Sequence, residues 1–209
     1  MSTLIPFINQ EDSSPLPENA LKLSVSNNNW KDQFPVTPEV NVCLWHNGDS
    51  LFIKYEVKEE YIAALAEKDN DKVSKDSCVE FFISFDEDGY YNIEANCVGK
   101  ILMSHRKGRK VDVKYASPDI LSNIKREASL GSESFECRKS DGKWDLILQI
   151  PYTSFFMHDI KGYRGLKARC NIYKCGDNLP HPHYLSWKPI KTENPDFHRP
   201  EFFQSILFE

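Results

Sequence analysis

The sequence predicts an all-β fold, an antiparallel β-sandwich of two packed, jelly-roll-like sheets with short helical connections. Three observations carry that prediction. Apolar and polar residues alternate along short runs, as in Trp144, Leu146, Leu148 and Ile150, rather than recurring at helical spacing. Tight-turn pairs, Asn47-Gly48, Asp88-Gly89 and Asp141-Gly142, interrupt those runs. The segments also lack the strand, helix, strand rhythm of a parallel sheet.

Residues 1–20, with "SSPLPEN", read as an irregular leader over a sheet edge, and residues 21–209 as a single domain. "VNVCLWHNGDSLFIKYEV" is a hairpin: Val40 to Trp45 and Leu51 to Val57 flank an Asn-Gly pair that accepts positive φ at little cost. In "EEYIAALAEKDND" the spacing of Tyr61, Ile62 and Leu65 predicts a short helix or helical turn. "SCVEFFISF" and "YYNIEANCVG", joined by "DEDG", form a second hairpin, and "KILMSH" extends it into a meander. "HRKGRK" (His105 to Lys110) reads as a solvated hairpin tip. "ASPDILSNIKREASLG" holds a short helix or a long loop with one edge strand. "ESFECRKSDGKWDLILQIP" predicts a third hairpin turning at Asp141-Gly142 and ending at Pro151. "YTSFF" resembles a capped helical turn, while "GLKARCNIYKC" and "FFQSILFE" are the closing strands. The total is roughly nine to eleven strands.

Length and composition suit one globular domain: 209 residues, 40% hydrophobic and 27% charged. A net charge of -5 provides no field for phosphates, so no nucleic-acid partner is expected. No apolar stretch approaches the ~18 residues of a membrane span, so no membrane partner is expected either. The first residues lack a basic region followed by an apolar run. That points to the cytoplasm as written, or to the periplasm or exterior if a leader is missing. The six cysteines are scattered without a CxxC pair, which predicts buried free thiols.

The chain carries no GxSxG, HExxH, P-loop or GxGxxG motif. A glycosidase would need two carboxylates about 5–9.5 Å apart, and Asp76, Glu80, Glu94 and Asp145 are the candidates. His181 and His183 in "PHPH", with His198, have the residue types of a metal site, but the flanking prolines favour a rigid loop. Asp86 and Asp88 offer carboxylates to a structural calcium, although the segment lacks an EF-hand's terminal Glu and a turn is the simpler reading. No other cofactor is indicated. In "NPDFHRPEFF", Pro200 restricts Arg199 to an extended conformation. The stretch then reads as a clasp: Phe197 anchors in the core while His198 and Arg199 reach acidic neighbours such as Glu80. The alternative is that His198 and Arg199 touch a ligand directly.

Taken in order, "DSCVEFFISF", "YYNIEANCVG", "ARCNIYKCG" with "YLSWKPI", and "PDFHRPEFF" resemble the carbohydrate-binding module family 9-like domains, over about residues 40 to 209. These are β-sandwiches related to the sugar-binding modules of xylan-degrading enzymes. The resemblance implies a non-catalytic domain that holds a saccharide, often a terminal sugar, and sometimes structural calcium. It implies Trp187 as the stacking ring, Glu80 as an acceptor of hydroxyl hydrogen bonds, and Asn96 as an amide partner; Asn171 joins by proximity. There are two departures. Val73 stands where sugar-binding members commonly have a second tryptophan, and Glu94 where they have an arginine. Three functions therefore stay open: carbohydrate binding, glycoside processing, and a sandwich that lost its sugar and binds protein.

Overall fold

In the computed structural model, which describes residues 2–209, the alternating runs become two packed sheets. The strands are β1 (Thr3–Ile5), β2 (Leu21–Ser24), β3 (Glu39–His46), β4 (Ser50–Lys58), β5 (Tyr61–Ala64), β6 (Cys78–Ser84), β7 (Tyr90–Asn96) and β8 (Ile101–Arg106). They continue with β9 (Lys114–Tyr115), β10 (Lys125–Ala128), β11 (Phe135–Lys139), β12 (Lys143–Pro151), β13 (Lys167–Cys175), β14 (Tyr184–Ser186) and β15 (Gln204–Phe208). The larger sheet runs β1-β15-β13-β6-β7-β8-β9, with β14 paired to the far half of β13. The smaller runs β10-β12-β4-β3-β2, and β5 pairs with β11 apart from both. Among these named pairs only β1 with β15 is parallel.

Packing follows the period of two. Along β12 burial alternates, and Trp144, Leu146, Leu148 and Ile150 enter one cluster with Val79, Phe81 and Ile83 of β6 and Ile93 of β7. Each such side chain contributes about 1.5–3 kcal/mol when fully buried, so this inter-sheet layer dominates the stability. Gly89 joins β6 to β7 at φ +153, where a Cβ would lie 2.7 Å from the Arg106 carbonyl oxygen, so only glycine passes.

β6 and β7 are buried at every position, which an antiparallel sheet with one wet face would not show. Their outer face has its own cover. Phe82, Tyr90 and Tyr173 pack beneath Trp30, Phe197 and Phe203, with Phe34 and Tyr184 half-buried at the margin. Phe197 stacks on Tyr173 with ring centroids 4.3 Å apart, and Trp30 Nε1 donates to the Thr192 carbonyl at 2.9 Å, tying the two covering segments together. The cover is incomplete, and a cavity opens at its edge.

Several expectations are corrected. Tyr61–Ala64 is strand β5, not a helix. Its flank has better partners than a helical turn would supply: Ala63 N–H donates to Ser77 Oγ, and the Leu65 and Ala66 N–H groups donate to the Asp76 carboxylate. The third hairpin does not form. β11 pairs with β5, while the free edge of β12 is taken by β10, because β11 is mostly exposed and offers no apolar stripe to match that of β12. The leader is not irregular throughout, since Thr3–Ile5 adds to β15 at the edge of the larger sheet. Among the described residues the strand number reaches fifteen through short edge strands such as β1, β9 and β14. All six cysteines are unpaired, and Cys137 is exposed rather than buried. No helix among the described residues is long and apolar enough to cross a membrane.

Candidate functional site

Register builds the site. On the outer face of the larger sheet Glu80 of β6 stands directly opposite Glu94 of β7, and Cys78 stands opposite Cys175 of β13. Above them lies a cavity of about 290 Å3. Phe34, Tyr184 and Phe197 form its apolar wall; Glu80, Glu94 and Cys175 line its floor; Asp177, Arg109 and His198 complete the rim. Phe34 and Tyr184 meet edge to face with centroids 4.8 Å apart, which fixes the wall's shape.

The floor is acidic but weakly charged. Burial, and then the facing Glu94 carboxyl, push Glu80 well above the usual carboxylate range, against a lowering hydrogen bond from the Cys175 thiol at 3.2 Å. Burial likewise raises Glu94, although Asn92 Nδ2 donates to its Oε1 at 2.7 Å and Arg106 lies near. Arg106 spends its own donors on Ser104 Oγ and the Arg109 carbonyl. Asp177 is raised by burial and eased down by hydrogen bonds from Ser74 and Tyr184. A protonated carboxyl donates as well as accepts, so this floor presents both functions to a ligand's hydroxyl groups beside an aromatic wall suited to an apolar ring face.

The structure brings together some of the residues singled out from the sequence and separates others. Glu80, Glu94 and His198 line the cavity. His198 Nδ1 lies 3.0 Å from the Tyr90 hydroxyl, and burial pushes its pKa down to about 3. Trp187 lies outside the lining, half-buried against the inter-sheet core with Lys188 Nζ 4.4 Å from its ring centroid. Asn96 donates to Asp76 and accepts from the Val98 and Lys100 N–H groups, shaping the β7–β8 turn. Asn171 clamps Lys188 through both its N–H and its carbonyl. Val73 is fully buried beneath the outer-face cover.

Arg199 does not reach Glu80; it pairs with Glu201 at 2.7 Å, the nearer acid on its own turn. The three histidines do not converge: His183 bonds Lys174 and the His181 carbonyl, exposed His181 lies over Tyr61, and His198 is in the cavity. Asp86 caps its turn at Asp88 N–H and pairs with His158 at 2.9 Å. Among the described residues the side chains grouped closely enough to hold a metal ion are instead Cys78, Glu80 and Cys175.

Sequence reasoning missed Phe34, Tyr184, Asp177 and Arg109. Asp177 was within reach, since it continues by two residues the side of β13 that carries Cys175. "HRKGRK" does make the expected hairpin tip, with Lys107 N–H on the Val111 carbonyl, yet its Arg109 turns back to the cavity. No local pattern marks Phe34.

The sequence model of the family described as carbohydrate-binding family 9 matches residues 13–208. A protein from Bacteroides uniformis ATCC 8492, described as a "putative carbohydrate-binding protein", is 37% identical in sequence. That alignment covers 100% of this chain and 99% of the other, with a TM-score of 0.92. A family 9 module from Caldicellulosiruptor kristjanssonii in complex with glucose aligns over 100% of this chain and 96% of its own at 11% identity, TM-score 0.58. A module from the same organism with cellotriose aligns over 100% and 94% at 10% identity, TM-score 0.54. Those two likenesses are of fold alone. No curated protein matches. A β-sandwich matched by the family's sequence pattern over nearly its whole length belongs to carbohydrate-binding family 9.

Proposed function

We propose that this chain binds a saccharide without covalent chemistry, in the cavity over β6, β7 and β13. The observation that carries the reading is the union in one cavity of an aromatic wall, Phe34 and Tyr184, with buried carboxyls, Glu80 and Glu94. The ring's C–H face lies against the aromatics while its hydroxyls exchange hydrogen bonds with the floor, Asp177 and Arg109. The resemblance assigns stacking to Trp187. Lys188 lies over that ring, whereas Tyr184 faces the cavity, so Tyr184 is the better stacking surface.

Calorimetric titration with mono- and oligosaccharides tests the proposal. Tyr184→Ala is expected to weaken binding about tenfold, the worth of one aromatic contact, and Trp187→Ala less than twofold. Reversal of that order returns stacking to Trp187. Absence of heat at millimolar sugar across the panel sinks sugar binding and favours a protein-interaction module. The facing pair Glu80 and Glu94 also invites a hydrolytic reading, but a retaining mechanism needs one ionised nucleophile and burial disfavours ionisation of both. Turnover of chromogenic glycosides that vanishes in Glu94→Gln would establish it.

A further inference from the structure

We propose that Cys78, Glu80 and Cys175 form a binding site for a thiophilic divalent cation, with Zn2+ the best fit, at the floor of the cavity. One ligand atom from each of the three residues lies within 4.8 Å of the other two. The arrangement is built by the sheet: Cys78 and Cys175 are directly paired across β6 and β13, and Glu80 follows Cys78 by two residues on the same face. Cys175 Sγ lies 3.2 Å from Glu80 Oε1, so the pair must open by only a few tenths of an ångström to reach the about 3.6 Å that separates S and O around a tetrahedral ion with Zn–S of about 2.3 Å and Zn–O of about 2.0–2.2 Å.

The donor set selects the metal. Two sulfurs and one carboxylate suit Zn2+ and disfavour Ca2+ or Mg2+, which take oxygen ligands. Glu80 and Cys175 line the cavity, so an ion has an entry path and its fourth position faces the open space, where water or a ligand hydroxyl completes the tetrahedron. Binding breaks the S–H bonds of Cys78 and Cys175 and releases both protons to solvent; Glu80 gives up its proton as well and coordinates as carboxylate. The two-plus charge of the ion then meets three anionic ligands, and the carboxyl facing Glu94 gains a countercharge. In the metal-free protein burial pushes Cys78 up to about 12, and a hydrogen bond with Cys78, then burial, raises Cys175 well above the usual thiol range. Because coordination displaces the protons of both thiols and the carboxyl, uptake weakens as pH falls.

The site does not depend on the cavity's taking a sugar, and its test uses the metal alone. The full chain, reduced and treated with chelator, is titrated with Co2+ at pH 8 while the near-ultraviolet thiolate-to-cobalt band is recorded. One equivalent is expected to give the band, equimolar Zn2+ to abolish it, and pH 5.5 to suppress it at least tenfold. Cys175→Ser and Cys78→Ser should remove the band, and Cys137→Ser, at the exposed cysteine, should retain it. Glu80→Gln, a near-isosteric change, should weaken binding at least tenfold even if a serine variant fails to fold. A wild-type chain without the band, a band that survives Cys175→Ser in folded protein, or one lost in Cys137→Ser overturns the site.

Discussion

Two buried acidic sites lie on opposite faces of β13, one residue apart, and they are built differently. Lys174 points inward, where its Nζ lies 2.8 Å from Glu59 Oε2 and also donates to His183 Nε2 and the Cys175 carbonyl. The other Glu59 oxygen accepts from Trp144 Nε1 at 2.8 Å, and His183 Nδ1 donates to the His181 carbonyl. That network gives its buried acid a cation and joins the larger sheet to the smaller. Cys175 points outward, to Glu80 and Glu94, whose hydrogen bonds come from a thiol and an amide instead of a cation. A buried acid given a matched cation is a fastening; buried acids left facing each other under a cavity are held ready for something that arrives.

The largest expected effect tests the fastening. Lys174→Met leaves Glu59 buried without its cation, and should cost about 3–5 kcal/mol in urea unfolding at pH 7. Adding Glu59→Gln should recover much of that loss, because the two changes act on one pair. A cost below about 1 kcal/mol for Lys174→Met would mean that Glu59 is not held by charge, and the contrast with the cavity floor would fail.

Acid acts next. Burial lowers His183 to about 2, His198 to about 3 and His46 to about 4, with Lys174 adding to the depression of His183, Arg106 to that of His198 and Arg164 to that of His46. In each case the folded chain binds the proton less readily than the unfolded one does at its usual 6.5. Stability is therefore complete above pH 6.5 and is lost as pH falls toward each folded value, at up to about 1.4 kcal/mol per pH unit for each group. The raised Glu80 and Glu94 carboxyls work in the opposite direction between about pH 7 and 4.5, so the histidine contribution is read by difference: in thermal melts from pH 7 to 4, His46→Gln, folded at pH 7, should lose less Tm than the wild type. Equal losses of Tm in His46→Gln and the wild type would mean that the His46 ring takes up its proton in the folded chain as readily as in the unfolded one.

How much of this was legible is decided residue by residue. β12 was readable because one buried face imposes alternation, and Trp144 through Ile150 keep it without a break. β5 was not, because Tyr61-Ile62-Ala63-Ala64 has no period and its conformation is set by partners distant in sequence, among them Ser77 and Asp76. Asp141-Gly142 correctly marked a reversal, but a turn states nothing about whether the strands it joins will pair. Lys174 falls in phase with Cys170 and Ile172, so its inward position was readable; that Glu59 would meet it was not. The cavity was half legible: Glu80 and Glu94 sit on strands whose hairpin fixes their opposition, while Phe34 and Arg109 come from loops whose path only the folded cover determines.

A smaller effect probes the open site. Glu94→Gln keeps an acceptor for Asn92 and removes one of two facing carboxyls, so it should change stability by less than about 1 kcal/mol, or raise it. Set beside Lys174→Met in the same unfolding assay, the two variants should differ severalfold. If Glu94→Gln were the more damaging, the cavity floor would be a closed network and the case for a ligand there would weaken.

The smallest effect concerns "FHRP". Arg199 is 40% exposed and its partner Glu201 50%, so the pair has the setting of surface bridges worth about 0–1 kcal/mol. The hold on this segment lies with its neighbours: Phe197, stacked on Tyr173, and His198, bonded to Tyr90. Arg199→Ala should therefore cost no more than about 0.5 kcal/mol and leave any sugar affinity unchanged, whereas Phe197→Ala should cost about 3–5 kcal/mol. The charged residue in the motif draws attention, but solvent competes for its partner, while the ring beside it has no comparable alternative once it is buried. An Arg199→Ala cost above about 2 kcal/mol would reverse that assignment and make the guanidinium the fastening.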